Sequence, residues 1–176
     1  MDERARLADL SLPLDRDRFL RQLLRELAGT LEEVVGIDEA EGYIAMVGRH
    51  MGRWMDRLYR EGLGLPRLDV RQVAHVLVDL KARIEGGFAI EALDEGRIVL
   101  VNDRCPFGEM VRDRPSLCMM TSNVFGTLAS ANLGYAKVAL EETIARGDAR
   151  CRVVVYLRDD EAAARADGRE YFGEAP

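Results

Sequence analysis

Cys105, Cys118 and Cys151 are the chain's three thiols, spaced C-x12-C-x32-C. Such a set can hold a metal ion as thiolates, attack an electrophile, or fill a core as small apolar groups. The spacing contains no C-x-x-C and so matches neither a zinc knuckle nor a ferredoxin. The local contexts are unlike those of plain filler. Cys105 stands in a loop before Pro106-Phe107-Gly108, and Cys118 falls in the first turn of an expected helix, where the macrodipole favours a thiolate. Cys151 opens a strand beside a Gly-Asp turn. All three lie at element ends, and element ends can converge at one edge of a sheet. Three thiolates leave one corner of a tetrahedral zinc site open, for Glu141, Glu142, Asp148, His50, a water or a substrate. Zinc is therefore the expected metal, with an iron–sulfur cluster as the lesser alternative. An odd number of cysteines argues against a disulfide framework.

Other chemistry is sparse. The chain has no G-x-S-x-G, no Walker loop and no G-x-G-x-x-G after a strand. His50 and His75 are the only histidines, each inside an expected helix and neither spaced from an acid as a metalloprotease helix requires. Methionines and aromatics gather in two helical stretches, with Met51, Trp54 and Met55 in one and Met120 and Phe125 in the other. Methionine adapts to irregular ligands and also fills cores. With Phe107, these five are the candidate contacts for a small hydrophobic ligand. Glu141 and Glu142 alternate along a strand, so one of them is expected to point towards the helices.

These residues need a scaffold, and 176 residues suffice for one domain with a sizeable core. A net charge of -6 with no basic stripe argues against direct nucleic-acid binding. No apolar run approaches a bilayer span, and Met1 to Leu14 carries charges where a signal peptide needs an apolar centre. A soluble, cytoplasmic protein without a membrane partner is expected. Residues 1–15 read as a flexible arm, 16–158 as a single domain, and 159–176 as a charged tail that frays.

Apolar residues at helical spacing predict a helix from Arg16 to a stop at Gly36, and another from near Asp38 to the Gly62–Pro66 stop. Gly48 and Gly52, four apart on the second helix, suit a close helix contact inside the domain or across a dimer. Asp69 and Gln72 form a capping box for a third helix, ended by Gly86-Gly87. The period then drops to two. Phe88 to Ala92 and Ile98 to Val101 read as a hairpin. A helix capped by Ser116 runs to Gly134 and should be buried on several sides. Tyr135 to Glu142 and Cys151 to Leu157 form the last strand pair. Helices and strands in blocks give an α+β fold: three helices, hairpin, helix, hairpin, with an antiparallel sheet packed on helices. A ligand would lie between the layers.

The C-terminal half resembles the methanogen output domain family of prokaryotic signalling proteins. C-P-F-G at Cys105, Leu117-Cys118-Met119-Met120-Thr121, the Val124-Phe125-Gly126 helix, N-x-G-Y-A-K-V and G-D-x-x-C-x-V-x-V-Y-L carry the likeness, over Asn102 to Leu157. More distantly, the ending is similar to the vinyl-4-reductase domain, the small-molecule module of some aromatic-responsive regulators. That module shares a fold with nitric-oxide sensors and vesicle-tethering subunits. The resemblance implies a sensory domain, often a homodimer, that binds a small hydrophobic molecule and passes the event to a signalling partner protein. In the vinyl-4-reductase pattern a second cysteine before the Gly-Asp turn joins the last one on zinc. The equivalent stretch here, Glu142-Thr143-Ile144, has no thiol, and Cys151 alone matches. The alternative reading is a thiol- or zinc-dependent hydrolase resembling thiazoline-carboxylate hydrolases, with Cys118 as nucleophile.

Overall fold

The computed structural model describes residues 13–173. The arm expected over 1–15 therefore lies almost wholly outside the described residues. Helix α1 spans Arg16–Val35, with the Asp15 carboxylate accepting from the Arg18 N–H at 2.7 Å and Gly36, at φ 86°, ending it. Helix α2 follows at once over Ile37–Leu63 and stops at left-handed Gly64. Asp69 and Gln72 cap α3, Val70–Ala82, by the reciprocal pair of hydrogen bonds their spacing predicts.

Strands β1, Phe88–Leu93, and β2, Arg97–Asn102, form the first hairpin. Its turn is held by Asp94, whose Oδ1 accepts from the N–H groups of Gly96 and Arg97. A bulge between Ile90 and Ala92 interrupts the β1 ladder. Helix α4 runs over Cys118–Leu133, entered through a 3-10 turn, Pro115–Leu117. Ser116 is not its cap. Its hydroxyl instead donates to Glu32 of α1 at 2.5 Å, tying that helix to the start of α4. Strands β3, Tyr135–Glu142, and β4, Cys151–Tyr156, complete the second hairpin.

As far as Gly173, the tail expected to fray after Arg158 is ordered. Helix α5 spans Glu161–Arg165, and strand β5, Arg169–Phe172, pairs antiparallel with β3. Tyr171 supplies the physical reason. Its ring is 8% exposed against α4, its hydroxyl lies 2.9 Å from Ser122 Oγ, and the burial offsets the ordering cost of a polar segment. The result is an open antiparallel sheet in the order β1-β2-β4-β3-β5.

Helices cover one face of the sheet. Phe125 and Leu128 of α4 are fully buried among Val138, Val153 and Val155, each large side chain contributing about 2 kcal/mol. Helix α2 crosses behind α4. Gly48 and Gly52 permit that approach, because a Cβ on either would press on Asn123 or Thr127. The glycine pair thus serves a contact inside the domain. On the other face, Val99, Ala139 and Val154 pack with Ala166 from the segment after α5. Among the described residues, no helix is long and apolar enough to cross a membrane.

Candidate functional site

All three thiols line one cavity, of about 410 Å³, between the sheet and the helices. The loop after β2 brings Cys105, the first turn of α4 brings Cys118, and the start of β4 brings Cys151. Convergence of element ends at one sheet edge does occur. A metal centre does not follow from it. Among the described residues, no group of three or more His, Cys, Asp or Glu side chains is placed to hold a metal ion. A buried ammonium, Lys81, shares the same cavity wall and repels a dication.

The thiols are also held neutral. Burial pushes Cys118 up to about 12, and the charge of nearby Cys151 and Cys105 would add to the penalty. The helix-start thiolate expected at Cys118 is thus overridden by desolvation. Burial raises Cys105 and Cys151 as well, the latter partly relieved by the Ile144 N–H donating to its Sγ at 3.5 Å. Among the described residues, no histidine or carboxylate is hydrogen-bonded to a sulfur, so none is placed to activate a nucleophile. Glu141 and Glu142 do not face the helices either. A bulge after Leu140 breaks the alternation, and the two acids pair with Arg152 and Arg150 outside. Iodoacetamide labelling of the folded protein near neutral pH is expected to be at least about tenfold slower at all three cysteines than in the unfolded chain. Mass spectrometry after timed quenching measures it, and one rapidly labelled cysteine would restore the nucleophile reading.

Lys81 dominates the cavity's electrostatics. It follows Val73 and Leu77 at four-residue steps along the apolar face of α3, so the helix carries its ammonium inward. The side chain is 5% exposed. Its Nζ donates to Thr121 Oγ1 at 2.8 Å and lies 5.6 and 5.3 Å from the ring centres of Phe88 and Phe125. Those rings meet edge to face at 5.5 Å. Among the described residues, no carboxylate pairs with Lys81. Burial lowers its pKa to about 8, with the thiols opposing that shift only if ionised. Two further polar groups on the cavity wall are incomplete. Asn102 Oδ1 and Thr143 Oγ1 are buried without a hydrogen-bond partner. Leu20, Arg21 and Leu24 of α1 close the cavity, and Arg21 reaches Glu85, on the turn after α3, at 3.5 Å.

The aromatic and methionine candidates are divided. Phe107 and Met120 line the thiol cavity, and Phe125 lies beneath it, fully buried under Lys81. Trp54 and Met55 instead line an adjoining groove of about 950 Å³ between α2 and α3, together with His75, which meets the thiol cavity at Arg83 and Ile84. Met51 is half-buried against the main core. Sequence reasoning missed Lys81, Asn102 and Thr143. A lysine inside the α3 apolar stripe was the available signal for the first.

The family description "Methanogen output domain 1" matches residues 23–156. Among solved structures, the chain is similar to the phenol-responsive sensory domain of the transcription activator PoxR, solved with phenol. The TM-score is 0.63 at 16% identity, covering 87% of this chain and 80% of that one. It is also similar to a trafficking protein particle complex subunit 3 from Naegleria fowleri, covalently bound to palmitic acid. There the TM-score is 0.56 at 13% identity, covering 81% of this chain and 97% of that one. No curated protein sequence matches.

Proposed function

Starting from the methanogen output domain 1 family, to which the chain belongs, we propose that this protein is a ligand-sensing regulatory domain. Its ligand is a small, mostly apolar molecule with one acidic or phenolic head group, held in the thiol cavity. The observation that carries this reading is Lys81: a buried cation, without an acid partner among the described residues, on the wall of a largely apolar cavity. An incoming carboxylate or phenolate would accept from Nζ and supply the missing counter-charge. A hydroxyl on the ligand would donate to Asn102 Oδ1. Phe88, Phe107, Met120 and the three neutral thiols would enclose the apolar body. The volume suits a single ring or a short acyl chain. Of the two similar solved proteins, one is solved with phenol and the other is covalently bound to palmitic acid, so both carry a mostly apolar molecule.

Helix α1 is the route outward. It walls the cavity through Leu20 and Leu24 and exposes Phe19, Leu23 and Leu27 on its surface. Filling the cavity would reset α1, and a homodimer or a signalling partner would read the change there. The test is a calorimetric and thermal-shift comparison of benzoate, octanoate and phenol against toluene and benzylamine. Benzoate is expected to bind at least about tenfold more tightly than toluene, and benzylamine not at all. Failure of every acid and phenol to bind, or tighter binding of the amine, would sink the reading.

A further inference from the structure

A second site is built from arginines. A groove of about 660 Å³ between α2, α4 and β5 is lined by Arg49, Arg53, Arg57, Arg60, Arg67 and Arg169. It shares no lining residue with the thiol cavity. The two carboxylates that reach it are already engaged. Asp56 accepts from Arg60 Nε at 2.8 Å and from Asn132 Nδ2 at 2.6 Å, and Glu170 accepts from the Tyr135 hydroxyl at 2.9 Å. Among the described residues, the other five arginines make no ion pair.

Arg49, Arg53 and Arg57 follow one another at four-residue steps, so their guanidinium groups line one side of α2. Like charges at that spacing repel and oppose the helix. The buried face of α2, made by Ala40, Ile44, Ala45, Gly48, Gly52 and Asp56, does not call for them, since its one carboxylate, Asp56, is already paired with Arg60. In a chain of net charge -6, such a concentration of cations is a local feature with its own cause. The floor of the groove points the same way. Asn123 and Thr127 are 0% and 8% exposed, and Asn123 Oδ1 and Thr127 Oγ1 have no hydrogen-bond partner. At one end Phe172 stands 73% exposed, its ring edge-on to Tyr135 at 5.6 Å.

We infer that this groove binds a nucleotide, its phosphoryl groups held by the Arg49–Arg53–Arg57 row with Arg67 and Arg169, and its base stacked on Phe172. Guanidinium groups match phosphoryl oxygens two at a time, and several around one groove select a ligand with more than one phosphate. The Thr127 hydroxyl is free to donate to a phosphoryl oxygen. An exposed ring beside the cations offers the stacking surface a planar base uses. A nucleic-acid strand is disfavoured, because it needs a basic track over many phosphates and the chain as a whole carries a net charge of -6.

Isothermal titration calorimetry of the whole chain decides the matter, with ATP, inorganic triphosphate, adenosine and a short single-stranded oligonucleotide as probes. ATP is expected to bind more tightly than triphosphate, and adenosine not measurably. An Arg53→Gln, Arg57→Gln variant, altered only at exposed side chains, should melt no lower than the wild-type protein and lose at least about tenfold in ATP affinity. Phe172→Ala should weaken ATP and leave triphosphate unchanged. The inference is overturned if wild-type protein does not bind ATP, or if the double variant binds it as well. Equal affinity for ATP and triphosphate, unmoved by Phe172→Ala, removes the nucleotide. A tighter oligonucleotide complex reassigns the groove to nucleic acid.

Discussion

Lys81→Met is expected to weaken binding of acidic ligands in the thiol cavity about a hundredfold and, in the same protein, to raise the stability of the ligand-free state. The two effects have one cause. Folding takes the ammonium out of water and returns only the Thr121 hydroxyl and two ring faces. The unfolded lysine holds its proton to 10.5 and the folded one only to about 8. Between those limits the unfolded chain binds the extra proton, so stability rises with pH across that window and the full cost falls below pH 8. At about 1.4 kcal/mol per pH unit, keeping Lys81 charged costs roughly 3 kcal/mol. Methionine keeps the packing and removes the charge, for a gain of about 2 kcal/mol at neutral pH. Urea unfolding of both proteins measures it, and the gain should shrink as pH climbs from about 8 towards 10.5. The difference between the two proteins matters, because the raised thiol pKa values act with the opposite sign above their ordinary range and cancel in the comparison except for the lowering that the Lys81 charge itself exerts on them, so the difference is read below that range. Benzoate affinity should fall about a hundredfold, the worth of one charged hydrogen bond without water. A Lys81→Met protein that is less stable and binds benzoate normally would remove the ammonium from the account.

The second large effect is expected at Gly126. A Cβ there would overlap the Tyr171 ring. Alanine favours the helix by about 1 kcal/mol over glycine, yet Gly126→Ala should destabilise by about 3 kcal/mol, because a ring packed on backbone has nowhere to move within the core. Expelling Tyr171 relieves the clash and lifts β5 from β3. Limited proteolysis should then cut within Arg169–Phe172, where the wild-type protein resists. A double-mutant cycle separates this from a general fault in α4. Tyr171→Ala should cost about 3 kcal/mol by itself, and adding Gly126→Ala to it should cost nothing or recover about 1 kcal/mol. Additive losses would show that the ring is not what Gly126 accommodates.

Much of the scaffold was legible because its signals are local. Gly36, Gly64 and the Asp69–Gln72 box mark helix ends through their own backbone and side-chain bonds. The drop from helical spacing to alternation after Gly87 likewise marks the first hairpin. Strand β5 carries no such signal. Arg-Glu-Tyr-Phe follows a charged, alanine-rich stretch, and it becomes a strand only because β3 offers an edge and α4 a seat for Tyr171. The candidate site divides in the same way. That three element-end thiols could converge was readable from topology, but whether they do was not. That burial holds them neutral was not, since it depends on how deeply each sulfur is enclosed. Met51, Trp54 and Met55 were grouped with Phe107 and Met120 by residue type, but the turn of α2 sends them to another groove and to the core.

The bulge in β1 bears on what the sheet does when molecules crowd together. An open sheet has two free edges, each a template for another chain's strand and a start for aggregation. Here one edge is kinked between Ile90 and Ala92, with Glu91 between them held by Arg150 and Arg152. The other is the four-residue β5, whose Arg169 and Glu170 are exposed. Neither edge offers a long flat run of unpaired backbone, so amyloid-like growth by strand addition is discouraged at both ends. Under the sensing role proposed above, any self-association would fall to the helical surface, away from both sheet edges.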